Sequence, residues 1–264
     1  MKRAATILTN LLASLLLVPS GAGAQMPGDS RLQSLHTMDA GRGWQAVGRL
    51  NIGAGSFCTA TLIAPDRVLT AAHCLFDRAS GQRLDDSTFE FLAGWRNGRA
   101  EAMRGVRRSI IAAGFSINGP QSLSRLGNDI ALLELDRPVR LTGLQPMPTA
   151  PHPPGAGSAV AVVSYARERA EAPSLQDRCT VLDRRREGVL VMSCDIDFGA
   201  SGAPVFILDG GVPRIVSVIS AMSEAETGTV ALGVQIGGQI QTLMEQLDEN
   251  AGQGARNSAR FLQP

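Results

Sequence analysis

The sequence predicts an all-β protein that consists of two β units followed by a C-terminal helix. From Trp44 onward, short runs of apolar and β-branched residues are broken by Gly, Pro, Asn and Asp. This pattern is typical of a barrel or a sandwich of many short strands. A stretch with five prolines, residues 145–157, interrupts these runs and separates the two β units. Near the end of the chain, apolar residues recur at helical spacing, at Ile240, Leu243, Met244 and Leu247.

Eleven segments fit the strand pattern, six before the proline-rich stretch and five after it. They are residues 45–50, 58–63, 67–70, 89–93, 109–112, 130–135, 159–165, 188–194, 203–208, 215–220 and 230–235. We therefore place the first β unit at residues 44–150. The second β unit, together with the helix, is placed at residues 151–250.

Both ends of the chain differ from this β region. Residues 1–24 begin with two basic residues, continue with a short apolar run and end in small residues, which predicts a cleaved secretory signal peptide. The apolar run is too short to cross a bilayer; a buried N-terminal helix is the alternative. Residues 25–43 form a polar N-terminal arm and residues 251–264 a polar tail. The sequence therefore predicts a secreted or periplasmic protein.

Four cysteines in an exported chain predict two disulfides, for which three pairings exist. Their spacing favours Cys58 with Cys74 and Cys179 with Cys194. The chain has no C-x-x-C motif and three histidines, so we expect no metal site. A net charge of +1 offers no electrostatic reason to expect a nucleic acid or a membrane as partner.

Three short motifs carry catalytic residue types. His73 lies in the sequence TAAHCLF at residues 70–76, Asp129 begins an alternating run, and Ser201 lies between Gly199 and Gly202. A serine hydroxyl needs a base to take its proton, and that base needs an acid to hold its tautomer. The chain supplies all three types in the order His, Asp, Ser.

These motifs resemble those of the chymotrypsin/trypsin-like serine proteases. Residues 57–74 resemble the histidine region of that family, residues 128–133 the aspartate motif and residues 199–204 the serine motif. The resemblance covers about residues 44–247 and is strongest to the secreted bacterial branch that includes the glutamyl endopeptidases. It implies two six-stranded antiparallel β-barrels of the chymotrypsin type, a C-terminal helix, a Cys58–Cys74 disulfide and an active site between the barrels.

The same resemblance implies a serine endopeptidase that needs no cofactor and acts on a polypeptide as a monomer. Ser201 would be the nucleophile, His73 the general base and Asp129 the acid that orients it. The backbone amides of Gly199 and Ser201 would form the oxyanion hole. Two other functions stay open: a protease-fold binding protein with little or no turnover, and an esterase that uses the same triad.

Two residues depart from the trypsin-like pattern. Ala200 stands where trypsin-like relatives carry an aspartate that pairs with a new N-terminal amine, and Ala203 stands where they carry a glycine. A methyl group cannot accept that charge. We therefore expect that the protein folds in an active form, or that another contact orders the oxyanion hole.

Specificity rests on two candidate substrate-binding residues. Asp195 lies six residues before Ser201, where an acid at the floor of the specificity pocket would select Arg or Lys; with Cys194 it could equally be a structural pair. Ser217 is the candidate for backbone pairing with an extended substrate, and Ser220 is the alternative register.

Overall fold

The structure of the chain, a computed structural model, describes residues 32–53, 55–225 and 228–260, and of residues 251–260 it describes the backbone alone. Its helices are α1 (Leu123–Leu126) and α2 (Gly237–Arg260), with 3₁₀ turns at Ala72–Leu75 and Asp86–Thr88. Its strands are β1 (Gln33–Ser34), β2 (Val47–Ile52), β3 (Ser56–Ala64), β4 (Arg67–Thr70), β5 (Phe89–Ala93), β6 (Ala102–Ile111), β7 (Ala131–Leu135), β8 (Ala159–Ala166), β9 (Arg169–Arg184), β10 (Val189–Met192), β11 (Pro204–Asp209), β12 (Val212–Ala225) and β13 (Gly228–Gln235).

Strands β2 to β7 form the first barrel, in the order β2-β3-β4-β7-β6-β5, and the pairing of β5 with β2 closes it. All of its pairings are antiparallel. Closure leaves no strand edge unpaired around the ring. Apolar side chains such as Leu62, Phe91 and Leu132 fill the interior and are fully buried.

Strands β8 to β13 form the second barrel, in the order β8-β9-β10-β13-β12-β11, and the pairing of β11 with β8 closes it. Its core is a separate cluster around Val181, Leu190 and Val205. The prediction of two six-stranded antiparallel barrels with a C-terminal helix is therefore confirmed.

The segment that joins the barrels, residues 136–158, holds the proline-rich stretch and contacts both of them. The amide of Met147 donates to the carbonyl oxygen of Leu62 in the first barrel at 2.9 Å. The amide of Ala150 donates to the carbonyl oxygen of Ile215 in the second barrel at 2.8 Å. These contacts fix the segment against both barrels.

Two strands lie outside the predicted segments. Strand β9 is 16 residues long and mostly polar, so no apolar run marks it in the sequence. Strand β1 lies in the N-terminal arm and pairs with β9, and Leu35 beside it is buried. The arm is thus held against the second barrel from Gln33 onward.

Helix α2 packs on the first barrel with the face predicted from its spacing. Leu243 and Leu247 are buried, and Arg67 on β4 donates to the carboxylate of Asp248 at 2.7 Å. The helix continues to Arg260 and so includes the first ten residues of the predicted polar tail. No proline occurs between Gly237 and Arg260 to stop the helix.

The predicted signal peptide lies outside the described residues. No helix among the described residues is long and apolar enough to span a membrane.

Both predicted disulfides are present. Cys58 on β3 bonds to Cys74, with 6.3 Å between their Cα atoms. Cys179 on β9 bonds to Cys194, with 4.9 Å between their Cα atoms. The first disulfide ties the segment that carries His73 to a barrel strand.

Candidate active site

His73 lies in the 3₁₀ turn that follows β4, and Asp129 lies just before β7. These two strands are paired, with Thr70 opposite Ala131, so the turn after one strand meets the segment before the other. Asp129 Oδ2 lies 2.6 Å from His73 Nδ1, and Asp129 Oδ1 accepts from the backbone amide of His73 at 2.8 Å. The predicted acid and base are therefore in direct contact.

Asp129 is 3% exposed, and its carboxylate accepts a third hydrogen bond, from the hydroxyl of Ser220 on β12. Burial by itself would raise the pKa of this carboxyl. The nearby imidazole, the hydrogen bonds from its ring and amide, and the bond from Ser220 outweigh burial and hold the pKa below its ordinary value. Asp129 is therefore ionised near neutral pH.

This contact also decides which nitrogen of His73 carries the proton. A carboxylate accepts, so the proton resides on Nδ1 and Nε2 keeps a free lone pair. The His73 side chain is 16% exposed, enough to be reached from the surface. The imidazole is thus set up to take a proton at Nε2.

Ser201 lies in the nucleophile turn, by which we mean residues 197–203. The turn consists of two successive tight turns, closed by the amide of Ala200 on the Asp197 carbonyl and by the amide of Ala203 on the Ala200 carbonyl, both at 2.9 Å. Gly199 and Gly202 adopt φ angles of +101° and +80°. A Cβ atom on Gly199 would lie 2.5 Å from the Phe57 ring, and one on Gly202 would lie 2.1 Å from Thr70 Oγ1. Both positions therefore require glycine.

Two amides of this turn are free. Within the described chain, neither the Gly199 nor the Ser201 amide donates a hydrogen bond to another protein group. Free amides beside a serine hydroxyl are what an oxyanion hole requires. The positions predicted for it thus have donors to offer.

Ser201 and His73 are not hydrogen-bonded to each other in the part of the chain that the structure describes. His73 Nε2 lies 3.9 Å from Cys74 Sγ. Catalytic hydrogen bonds are often long in the absence of substrate and tighten when it binds. Proton transfer from Ser201 thus requires one of the two side chains to move.

A groove of about 460 Å³ opens beside His73 and Gly199 and follows the Cys58–Cys74 disulfide. Its walls are aromatic and basic, from Phe57, Phe198, Arg78 and Arg167. The Arg167 guanidinium lies over the Phe198 ring, 4.8 Å from its centroid. The groove borders the nucleophile turn on the side of the first barrel.

The two predicted specificity residues lie elsewhere. Asp195 is exposed, which does not fit the floor of an enclosed pocket. Its amide donates to Gln176 Oε1 at 2.8 Å, which fits the structural alternative. Ser217 is fully buried, and its backbone pairs with Val205 on one side and Gln235 on the other, so it has no free edge for a substrate.

The alternative register, Ser220, lies at a bulge in β12. Pairing of β12 with β11 reaches Val218, whereas pairing with β13 continues to Ala225. One edge of β12 therefore becomes free next to the residue that bonds Asp129. The alternation of residues in the sequence could not reveal this bulge.

Sequence reasoning missed Thr59. Its hydroxyl donates to the Gly199 carbonyl at 2.9 Å, and its amide donates to the Ser201 carbonyl at 2.9 Å. The one feature of the sequence that could have indicated Thr59 is its hydroxyl side chain directly after Cys58. Its partners are more than a hundred residues away in sequence, so the signal could not be interpreted.

One group of possible metal ligands occurs among the described residues: Cys58, His73 and Cys74. The two sulfurs are bonded to each other in the disulfide. A disulfide sulfur is not the thiolate that binds metals. These residues therefore do not fit a metal site.

Three solved structures share the fold. A Glu endopeptidase matches with a TM-score of 0.67 at 20% identity, over 83% of this chain and 97% of that chain. A scabies mite inactivated protease paralogue matches with a TM-score of 0.62 at 15% identity, over 84% and 97% of the two chains. The thermostable serine protease AL20 from an extremophilic microorganism matches with a TM-score of 0.59 at 19% identity, over 75% and 94%.

The family model described as Trypsin matches residues 35–237, which include both barrels and all three motifs. This match covers well over half of the chain. The chain therefore belongs to the trypsin family of serine proteases.

Proposed function

We propose that the protein is a serine endopeptidase in which Ser201, His73 and Asp129 form the catalytic triad. The observation that carries this proposal is the contact of the buried Asp129 carboxylate with His73 Nδ1 at 2.6 Å, beside a glycine-flanked serine. A buried carboxylate that accepts from Nδ1 of an imidazole keeps the proton on that nitrogen and leaves Nε2 free to act as a base.

The reaction proceeds through an acyl-enzyme. Ser201 Oγ attacks the carbonyl carbon of the scissile peptide bond while His73 Nε2 takes the hydroxyl proton. The Gly199 and Ser201 amides receive the negative oxygen of the tetrahedral intermediate. The C–N bond breaks as His73 gives its proton to the leaving amine. Water, activated in turn by His73, hydrolyses the ester.

The free edge of β12 next to Ser220 gives an extended substrate a place to pair. An extended substrate added as a strand at such an edge forms backbone hydrogen bonds that do not depend on its side chains. The acyl side of the substrate would pair there, and the leaving side would enter the groove beside Phe57 and Arg167.

Labelling with a fluorophosphonate tests the nucleophile. We expect the wild-type chain to form a covalent adduct, mapped to Ser201 by mass spectrometry, and to cleave a peptide library. Ser201→Ala should lose both. Ser124→Ala, an exposed serine on α1, is the matched control and should keep both. Peptidase activity retained by Ser201→Ala would refute the proposal.

A binding protein without turnover is the second candidate. The absence of a Ser201–His73 hydrogen bond within the described residues favours it, and one protein of similar fold is described as an inactivated paralogue. The same experiment separates the two candidates, because an unlabelled Ser201 in a folded chain indicates an idle site. Labelling together with cleavage of simple esters but not of peptides would instead indicate an esterase.

We also propose that the protein is exported and that residues 1–24 are removed. Two disulfides support this, since such bonds persist in oxidising compartments. Mass spectrometry of the protein from its native host should find a mature N-terminus at Gln25. A full-length chain retained inside the cell would contradict export.

A further inference from the structure

Thr59 lies on β3 in the first barrel, is fully buried, and faces the nucleophile turn of the second barrel. We propose that Thr59 is a positioning residue that holds the oxyanion hole open for catalysis. This inference rests on the proposed function and extends it to the question of how the hole is ordered without an acid at position 200.

All hydrogen-bonding groups of Thr59 are used, and the bonds of its amide and hydroxyl join the two barrels. Its amide donates to the Ser201 carbonyl at 2.9 Å, and its carbonyl accepts from Thr70 Oγ1 at 2.9 Å. Its hydroxyl donates to the Gly199 carbonyl at 2.9 Å and accepts from the Tyr165 amide on β8 at 3.0 Å. A hydroxyl has one proton to donate, so its other contact, the Tyr165 carbonyl at 3.5 Å, is the weaker acceptor.

The geometry of the peptide group explains how these bonds orient the hole. In a trans peptide the carbonyl and the N–H point in opposite directions, so holding the carbonyl fixes the N–H. The Phe198 carbonyl accepts from the Arg167 amide at 2.7 Å, which sets the direction of the Gly199 N–H. The Ala200 carbonyl accepts from the Ala203 amide at 2.9 Å, which sets the direction of the Ser201 N–H.

Gly199 is the weak point of this arrangement. Glycine has wide conformational freedom, so rotation about its own bonds could turn its amide out of the hole. The Thr59 hydroxyl holds the peptide that follows Gly199, and the Thr59 amide holds the one that follows Ser201. Together with Arg167 and Ala203, Thr59 fixes four consecutive carbonyls, from Phe198 to Ser201.

No charged group takes part in these four bonds. Ala200 is fully buried among apolar residues of the second barrel, including Ile196 and Ala203. Neutral hydrogen bonds from Thr59, together with those from the Arg167 and Ala203 amides, therefore supply the ordering for which Ala200 provides no ion pair.

Two pairs of variants at position 59 isolate the hydroxyl. Thr59 and Thr59→Val have the same shape and differ in the hydroxyl; Thr59→Ser and Thr59→Ala form a second such pair in which both lack the methyl group. Thr61→Val is the matched control, because Thr61 lies two residues along the same strand, is fully buried, and has a hydroxyl without a hydrogen-bond partner among the described residues. If Thr59→Val does not fold, the Ser/Ala pair gives the same comparison.

The measurements are kcat and KM for a p-nitrophenyl ester, the rate of fluorophosphonate labelling, and the thermal midpoint of each variant. Loss of the hydroxyl should lower kcat and the labelling rate about tenfold in each pair, since one hydrogen bond to the turn is lost. KM should stay within about twofold, because the bond orders the transition-state oxyanion site. Thr59→Ser should retain most of the wild-type kcat, and Thr61→Val all of it.

The outcomes separate the inference from the function on which it rests. A wild-type chain without Ser201-dependent labelling refutes the proposed function. An active wild type whose hydroxyl-free variants keep kcat and lose thermal stability alone refutes the role of Thr59 and leaves the proposed function standing. Equal loss in Thr61→Val would likewise show a general packing effect on β3.

Discussion

The two halves of the candidate site are ordered by different physical means. In the half from the first barrel, a buried carboxylate and an imidazole hold each other, and Asp129 accepts from three donors. In the half from the second barrel, the nucleophile turn is held by neutral hydrogen bonds from Thr59 and Arg167. A buried charge is stable when several donors surround it, whereas a turn needs each carbonyl held in place. The two halves should therefore fail in different ways.

The largest effect is expected from the charged half. Asp129→Asn keeps the shape of the side chain but removes the charge and lets an amide face His73 Nδ1. The imidazole then takes the wrong tautomer, and kcat should fall by about 10⁴-fold, as in related triads. Steady-state kinetics measure this, with Asp39→Asn, an exposed acid paired with Arg42, as the control. A loss below tenfold would show that His73 does not depend on Asp129.

A charge introduced into the neutral half should destabilise the fold. Ala200→Asp would place a carboxylate in a fully buried apolar cluster and should lower the free energy of unfolding by about 3–5 kcal/mol. Urea denaturation measures the loss, and Ala79→Asp at an exposed position should change stability by less than about 0.5 kcal/mol. An unchanged midpoint for Ala200→Asp would reveal a cation close to this position.

The two disulfides allow a comparison at nearly equal loop length. Their sequence separations are 16 and 15 residues, so the loss of either should cost about 3 kcal/mol of stability. The double variant Cys58→Ala/Cys74→Ala should also lose activity at a temperature where it is folded, because this bond holds the turn that carries His73. Cys179→Ala/Cys194→Ala should keep kcat under the same conditions. Equal activity in the two double variants would show that the Cys58–Cys74 disulfide does not position His73.

The hydroxyl of Ser220 links the charged half to β12. Ser220→Ala removes one donor to a carboxylate, which should cost about 2 kcal/mol near neutral pH. Because the folded-state pKa of Asp129 is lowered, this stability is present above the pKa of the unfolded chain and is lost as pH falls through the folded value. The stability difference between wild type and Ser220→Ala should therefore shrink below about pH 4. A difference that does not depend on pH would contradict the link to Asp129.

The smallest effect is expected at Asp195. Its exposure places it outside an enclosed pocket, so Asp195→Asn should leave the relative cleavage after Arg and Lys unchanged. Profiling of wild type and variant on one peptide library measures this ratio. A selective loss of cleavage after Arg and Lys would restore Asp195 as the determinant of specificity.

Strong local patterns made much of the fold predictable. Strands β4 and β5 have the bounds that the sequence predicts, since each is a short run enclosed by turn residues. Strand β9 was not predicted, because its residues are mostly polar and include Pro173. Its place in the sheet comes from pairing with three neighbours, which local composition does not record.

In the candidate site, too, some residues can be recognised from local sequence and others only from contacts that are distant in sequence. His73, Asp129 and Ser201 are recognisable because each lies in its own short motif. The sequence favours Ser217 over Ser220, whereas a bulge in β12, which the sequence does not reveal, lets Ser220 contact Asp129. Thr59 could not be found at all, since its role depends on a turn 140 residues away.

The sequence by itself determined the residue types of the proposed triad and the disulfide pairs, because these depend on local spacing, and it indicated the two-barrel fold through its resemblance to a known family. Tertiary structure alone decided that Asp129 has three donors, that the free edge of β12 starts at Ser220, and that Thr59 holds the nucleophile turn. The physical reason is that hydrogen bonds between the barrels depend on how two closed sheets meet. That geometry is set by packing over the whole chain.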